Sequence, residues 1–203
     1  MKIPKYKYVK NIIHAYKERA FQIRFPGGTS YAGDKNAVVI APVFNSLGKV
    51  YFIVVPYQVG SGLDNNLDNT IENEKDLAAR KLLDETGLIA DNDDLIPILK
   101  VVVSNIFQNC GKHTKYYFIL KKFGGGFINL DNCSFLNRET GTPFLVPGPL
   151  LVRELYKGHL NAFVEAINYL SSKLKKDDYL SIKKGIETRK RKDDRVIHLK
   201  NPK

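Results

Sequence analysis

AARKLLDETGL, residues 78–88, sets the frame in which the rest of the chain is read. Set on a helix at about 100° per residue, it places Ala78, Ala79, Leu82 and Leu83 within one arc of roughly 140°. The opposite arc carries Arg80, Lys81, Asp84 and Glu85 at i,i+3 and i,i+4 spacings, within side-chain reach of one another. The helical pattern runs over 74–86, and Gly87 ends it as the residue that takes the left-handed conformation after the last turn. A helix that is apolar on one side and densely charged on the other leans on a sheet while lining a site.

Upstream, residues 36–43 (NAVVIAPV) and 50–56 (VYFIVVP) are β-branched runs flanking FNSLGK, and Gly48 supplies the left-handed position of a hairpin turn. Residues 1–35 mix basic and aromatic side chains and read as an N-terminal arm. FPGG at 25–28 is a turn, because it precedes a strand and lacks the Lys-Ser/Thr ending of a phosphate-binding loop. Downstream, strands are expected near 96–103 and 115–121, paired antiparallel. FGGG at 123–126 ends the second of them, and 141–149 (GTPFLVPGP) is a connector with room for one short strand. Residues 150–156 and 160–174 look helical, with Ala162, Phe163, Ala166, Ile167 and Leu170 as the stripe of the second. His159, at that helix start, reads as a capping or packing residue, and His113 as an exposed turn residue. A hairpin, a helix, further strands and closing helices, with no internal repeat, imply an α/β (α+β) fold with a mixed sheet.

The chain of 203 residues is 43% hydrophobic and 26% charged, the make-up of one globular domain with extra length at its ends. It has no uninterrupted apolar run of roughly 18 residues and no signal-peptide h-region, so a cytoplasmic protein without a membrane partner is expected. Cys110 and Cys133, in no CxxC pair, suggest two free thiols. The formal charge is +11, and residues 175–203 hold eleven Lys or Arg against five Asp or Glu. Just over half of the excess therefore sits in these last 29 residues, and the basic tail, 176–203, is read as a solvated helix or a disordered end that could also contact nucleic acid.

Glu72, Arg80, Leu82, Asp84, Glu85, Gly87 and Leu88 resemble the Nudix box, G-x5-E-x7-R-E-U-x-E-E-x-G-U with U apolar. The spacing matches throughout. Three identities depart: the opening Gly falls on Asn66, the Glu after the Arg on Lys81, and the first of the paired Glu on Asp84. The resemblance spans residues 36–175 and implies an α/β/α sandwich with a mixed β-sheet.

It further implies hydrolysis of a nucleoside diphosphate derivative with Mg²⁺ or Mn²⁺, hard ions that take carboxylate oxygens and share them with substrate phosphates. Asp84 and Glu85 would be the catalytic and metal-binding acids, and Glu72 and Arg80 a structural pair. The family's Arg-Glu-Glu-Glu set is net negative, whereas Arg80, Lys81, Asp84 and Glu85 sum to zero. Weak metal binding is therefore expected, with Lys81 pairing to Glu85 and competing with a cation. Asn66, less free than Gly in its backbone, would displace the loop at the start of the box. Two readings stay open. The chain is a hydrolase with compensation from Glu74, Asp131 or Glu139, or it is a catalytically inactive Nudix-like domain that binds a nucleotide, RNA or a protein partner, with Lys81 on a phosphate. A homodimer is compatible with either.

Overall fold

Successive residues of a strand face opposite sides, and here both sides are apolar. The computed structural model describes residues 3, 5–27, 35–58, 73–104, 112–126 and 141–199, with backbone alone at 58, 103, 104, 112, 113 and 192–199. Its elements in chain order are α1 (Tyr6–Glu18), β1 (Phe21–Arg24), β2 (Lys35–Ile40), β3 (Pro42–Phe44), β4 (Val50–Gln58) and α2 (Glu74–Thr86). There follow β5 (Leu88–Ile89), β6 (Leu95–Ser104), β7 (Lys112–Leu120), β8 (Gly124–Gly125), β9 (Phe144–Pro147), α3 (Gly148–Glu154), α4 (Leu160–Leu170) and α5 (Lys176–Leu199).

β2 runs parallel to β7, which pairs antiparallel with β6. β4 pairs antiparallel with β1, β3 and β9, and β5 with β8. Val38, Ile40, Phe52, Val54 and Ile119 enter a core shared with α1, α3, α4 and α5. Ala37, Val39, Ile53, Phe118 and Leu120 enter a second core, closed by Leu77, Ala78 and Leu82 of α2. Strands thus lie between two helical layers, the α/β/α arrangement with a mixed sheet expected from the sequence.

The structure departs from the sequence reading in four places. The run 36–43 is not one strand: β2 joins the sheet of β6 and β7, while β3 forms the hairpin with β4, with Pro42 opposite Phe52 and Gly48 at φ 71°. Pro42 has no N–H to continue a ladder, so the chain changes sheets there, and Ala41 keeps contact through its carbonyl, which accepts from Ile53 N–H. Residues read as an arm build α1 and β1, because Val9 and Ile13 share one helix face and are buried with Ile23. Gly124 and Gly125 form β8 against β5 rather than only ending a strand. The basic tail starts as a docked helix: Ile182 and Ile186 are buried, and Arg189 donates to the Val152 and Leu155 carbonyls at 2.6 and 2.5 Å. Those carbonyls lie at the end of α3, where no helical partner follows. Among the described residues, no helix is long and apolar enough to cross a membrane.

Candidate functional site

α2 is fixed at both ends by its own sequence. Asn73 Oδ1 accepts from the Lys75 and Asp76 amides at 3.0 and 2.9 Å, and Gly87, at φ 75°, donates its N–H to Leu83 O at 2.7 Å. The buried stripe is Leu77, Ala78, Leu82 and Thr86 rather than the arc expected, since Ala79 is half-buried and Leu83 is 45% exposed. Thr86 tolerates complete burial because its hydroxyl donates to Leu82 O at 2.6 Å and accepts from Leu88 N–H at 3.2 Å. With the stripe shifted toward Thr86, the neighbouring Glu85 comes to the sheet instead of facing solvent.

There Glu85 meets the turn after β1. Gly27 N–H donates to Glu85 Oε2 at 2.7 Å, and Arg24 Nη2 to Oε1 at 3.3 Å. Arg24 Nη1 donates to Gly27 O at 2.9 Å, and its guanidinium lies over the Tyr57 ring, 4.3 Å from the centroid. The side chains of Arg24 and Glu85 are 3% and 12% exposed. Arg24 Nε is buried and has no hydrogen-bond partner among the described residues. Gly27 is obligatory: it sits at φ 84°, and a Cβ there would stand 2.2 Å from the Ala37 carbonyl oxygen.

Behind Arg24 the side chains are buried. Burial lowers the Lys115 pKa, and the charge of Arg24 lowers it further. His159 is 1% exposed; burial holds its pKa well below the usual histidine value, with Arg24 and Lys115 adding to the effect. Its neutral ring accepts from Phe25 N–H at Nδ1 (3.3 Å) and stacks on the Phe25 ring, so it packs rather than caps. Burial likewise pushes Tyr117 up to about 12, and its hydroxyl donates to Gly158 O at 3.2 Å. Two mutually repelling cations, Arg24 and Lys115, thus share this region, and Glu85 is the carboxylate paired to Arg24.

Of the expected site residues, Asp84 and Glu85 are adjacent but engaged separately. Asp84 lies 3.8 Å from Arg80, and Glu85 belongs to Arg24 and Gly27. The expected Lys81–Glu85 pair does not form. A half-buried ammonium on the same helix gives way to a buried guanidinium and a backbone amide already aimed at the carboxylate, and Lys81 makes no ion pair among the described residues. Glu74 pairs with Lys35 at 3.3 Å, and its pKa is lowered first by a backbone hydrogen bond and then by Lys35. It stands three turns from Glu85, roughly 16 Å along the helix axis. Asn66, Glu72, Asp131, Glu139, Cys110, Cys133 and the His113 side chain lie outside the described residues.

These donors do not fit Mg²⁺ or Mn²⁺. Each Glu85 oxygen already accepts from a fixed donor, a guanidinium cancels its charge, and no three His, Cys, Asp or Glu come together among the described residues. Arg24 is the residue that sequence reasoning missed. Its signal was a cation between Ile23 and Phe25 ahead of two glycines, a position that buries it and so demands a distant carboxylate.

No protein-family model matches the chain, and no curated protein does. Among solved structures it is similar to the E. coli ORF135 protein, at 11% identity and TM-score 0.43, over 71% of this chain and 96% of that one. It is similar also to the NUDIX domain of Shewanella oneidensis NrtR complexed with ADP ribose, at 12% identity and TM-score 0.42, over 67% and 87% of the two chains. A MutT NUDIX hydrolase from Burkholderia pseudomallei is similar at 9% identity and TM-score 0.41, over 66% and 98%.

Proposed function

We propose that this chain is a Nudix-like domain that binds a nucleoside diphosphate derivative by its phosphates, without a bridging divalent cation and without turnover at an enzymatic rate. The observation that carries this reading is the pairing of Glu85: it accepts from the Arg24 guanidinium and from the Gly27 amide, so its charge is met by fixed donors of this chain, and Lys81 stands one helical turn away on α2. Fixed cations in buried, low-dielectric surroundings attract an anion and repel Mg²⁺. A guanidinium suits phosphate especially, since its planar fork matches two oxygens at once.

A metal-dependent hydrolase is the second reading, favoured by Asp84 and Glu85 standing side by side at the end of α2. It requires Glu85 to leave Arg24 before it can hold a cation. Turnover of ADP-ribose, the ligand of one similar domain, separates the two when assayed with Mg²⁺ and with Mn²⁺ beside Glu85→Gln. The binding reading expects product at the uncatalysed rate from both proteins. Metal-dependent turnover that Glu85→Gln abolishes establishes the hydrolase instead.

A further inference from the structure

An anion site is built when its donors are held in place before the anion arrives. The donors beside Glu85 meet that condition. The Gly27 amide cannot turn away, because its φ of 84° and the Ala37 carbonyl behind it fix the bend. Arg24 is held flat by Tyr57 on one face and by the Gly27 carbonyl at Nη1. What is left over is one edge of the guanidinium, formed by Nη2 and Nε. Glu85 uses only Nη2 of that edge, and Nε stays buried without a partner among the described residues.

The two Glu85 oxygens point to different donors, one to the Gly27 amide and one to Nη2. A terminal phosphate group offers three acceptor oxygens, enough for the Gly27 amide and for both nitrogens of the open edge. With its two oxygens drawn to Nη2 and to the Gly27 amide, Glu85 does not reach Nε, and a third oxygen placed on that edge would. The bend at Gly27, read as a turn from its sequence context, therefore does hold an anion, and the anion is the chain's own.

We infer that Arg24 and the Gly27 amide form a cradle for one phosphate group of the ligand, and that Glu85 is an internal occupant which the phosphate displaces. This rests on the phosphate-binding reading above. Glu85 is the more exposed member of the pair, 12% against 3%, so its departure is toward solvent. Lys81, one turn back on α2, then receives the released carboxylate at i,i+4 spacing. The lysine that breaks the box pattern becomes the resting partner of Glu85 in the liganded state.

The test is calorimetric titration of inorganic phosphate, pyrophosphate and ADP into the wild type, Glu85→Gln and Asp84→Asn. Both variants remove one negative charge from α2, but only the first removes the charge held in the cradle, leaving a neutral amide that phosphate displaces more readily. Glu85→Gln should bind phosphate about tenfold more tightly than the wild type, and Asp84→Asn less than about threefold more tightly. Equal gains in the two variants, or a loss in Glu85→Gln, would overturn the cradle. Should Glu85→Gln fail to fold, the Gly27 amide proton in the wild type gives the answer: its resonance shifts on adding phosphate, and an unmoved resonance at saturation refutes the displacement. If phosphate moves Gly27 while ADP binds neither protein, the cradle stands and the nucleotide reading falls. If ADP binds the wild type with Gly27 unmoved, the reverse holds.

Discussion

Arg24 is 2% exposed, with a carboxylate and a backbone carbonyl as partners, and Glu85 in turn depends on Arg24. None of this was legible from residues 78–88. Their i,i+4 pattern names every charge on that stretch of α2, yet Glu85 finds its partner 61 residues upstream, and local spacing cannot show a contact made by tertiary packing. His159 is coupled to the same turn through Phe25. Its folded pKa lies well below the unfolded value of about 6.5, so the unfolded chain takes up the proton first. Its contribution to stability is complete above about pH 6.5 and is lost progressively as the pH falls toward the folded pKa. Thermal melts should therefore show a fall in Tm from pH 7 to pH 5 that is shallower in His159→Gln; equal slopes would place the acid sensitivity elsewhere.

Among the helices and strands, the sequence reads best where the determinants are local. The span 74–86 and its Gly87 stop are matched by α2, since a cap and a left-handed glycine act within one turn. The antiparallel strands 95–104 and 112–120 were likewise visible as apolar runs. Ala41 was not readable as a crossing between sheets, because both halves of its run are equally β-branched and only Pro42 marks the break. The turn read at 25–28 is described as far as Gly27, at φ 84°, and its contact with α2 was out of reach. Gly27→Ala tests how much that turn matters. A Cβ at φ 84° pressed on the Ala37 carbonyl should cost at least about 2 kcal/mol in urea unfolding and weaken phosphate binding as well. A substitution without effect on either would mean that the turn is not held as described.

For the molecule as a whole, a mixed sheet with helices followed from the order of elements and the α/β/α layering from the resemblance of residues 66–88, while the ends of the chain were misjudged. Charge made them look peripheral, yet a few apolar residues at helical spacing, Val9 and Ile13 in α1, Ile182 and Ile186 in α5, seat them in the core. A chain truncated to residues 36–175 should therefore not fold, because it exposes the core face those helices cover and loses β1 with Arg24. A cooperative melt at the full-length Tm would contradict this. The sign of the site's charge decides whether a nucleotide enters as a bare anion or with its metal, and titrating ADP calorimetrically into the full chain, once in EDTA and once in Mg²⁺, reads it out. Binding in EDTA at least as tight as in Mg²⁺ is expected, because Mg²⁺ takes up part of the free ADP and the site repels the metal complex. Binding that appears only with Mg²⁺ would contradict an anion site and would return Asp84 and Glu85 to the role of metal ligands.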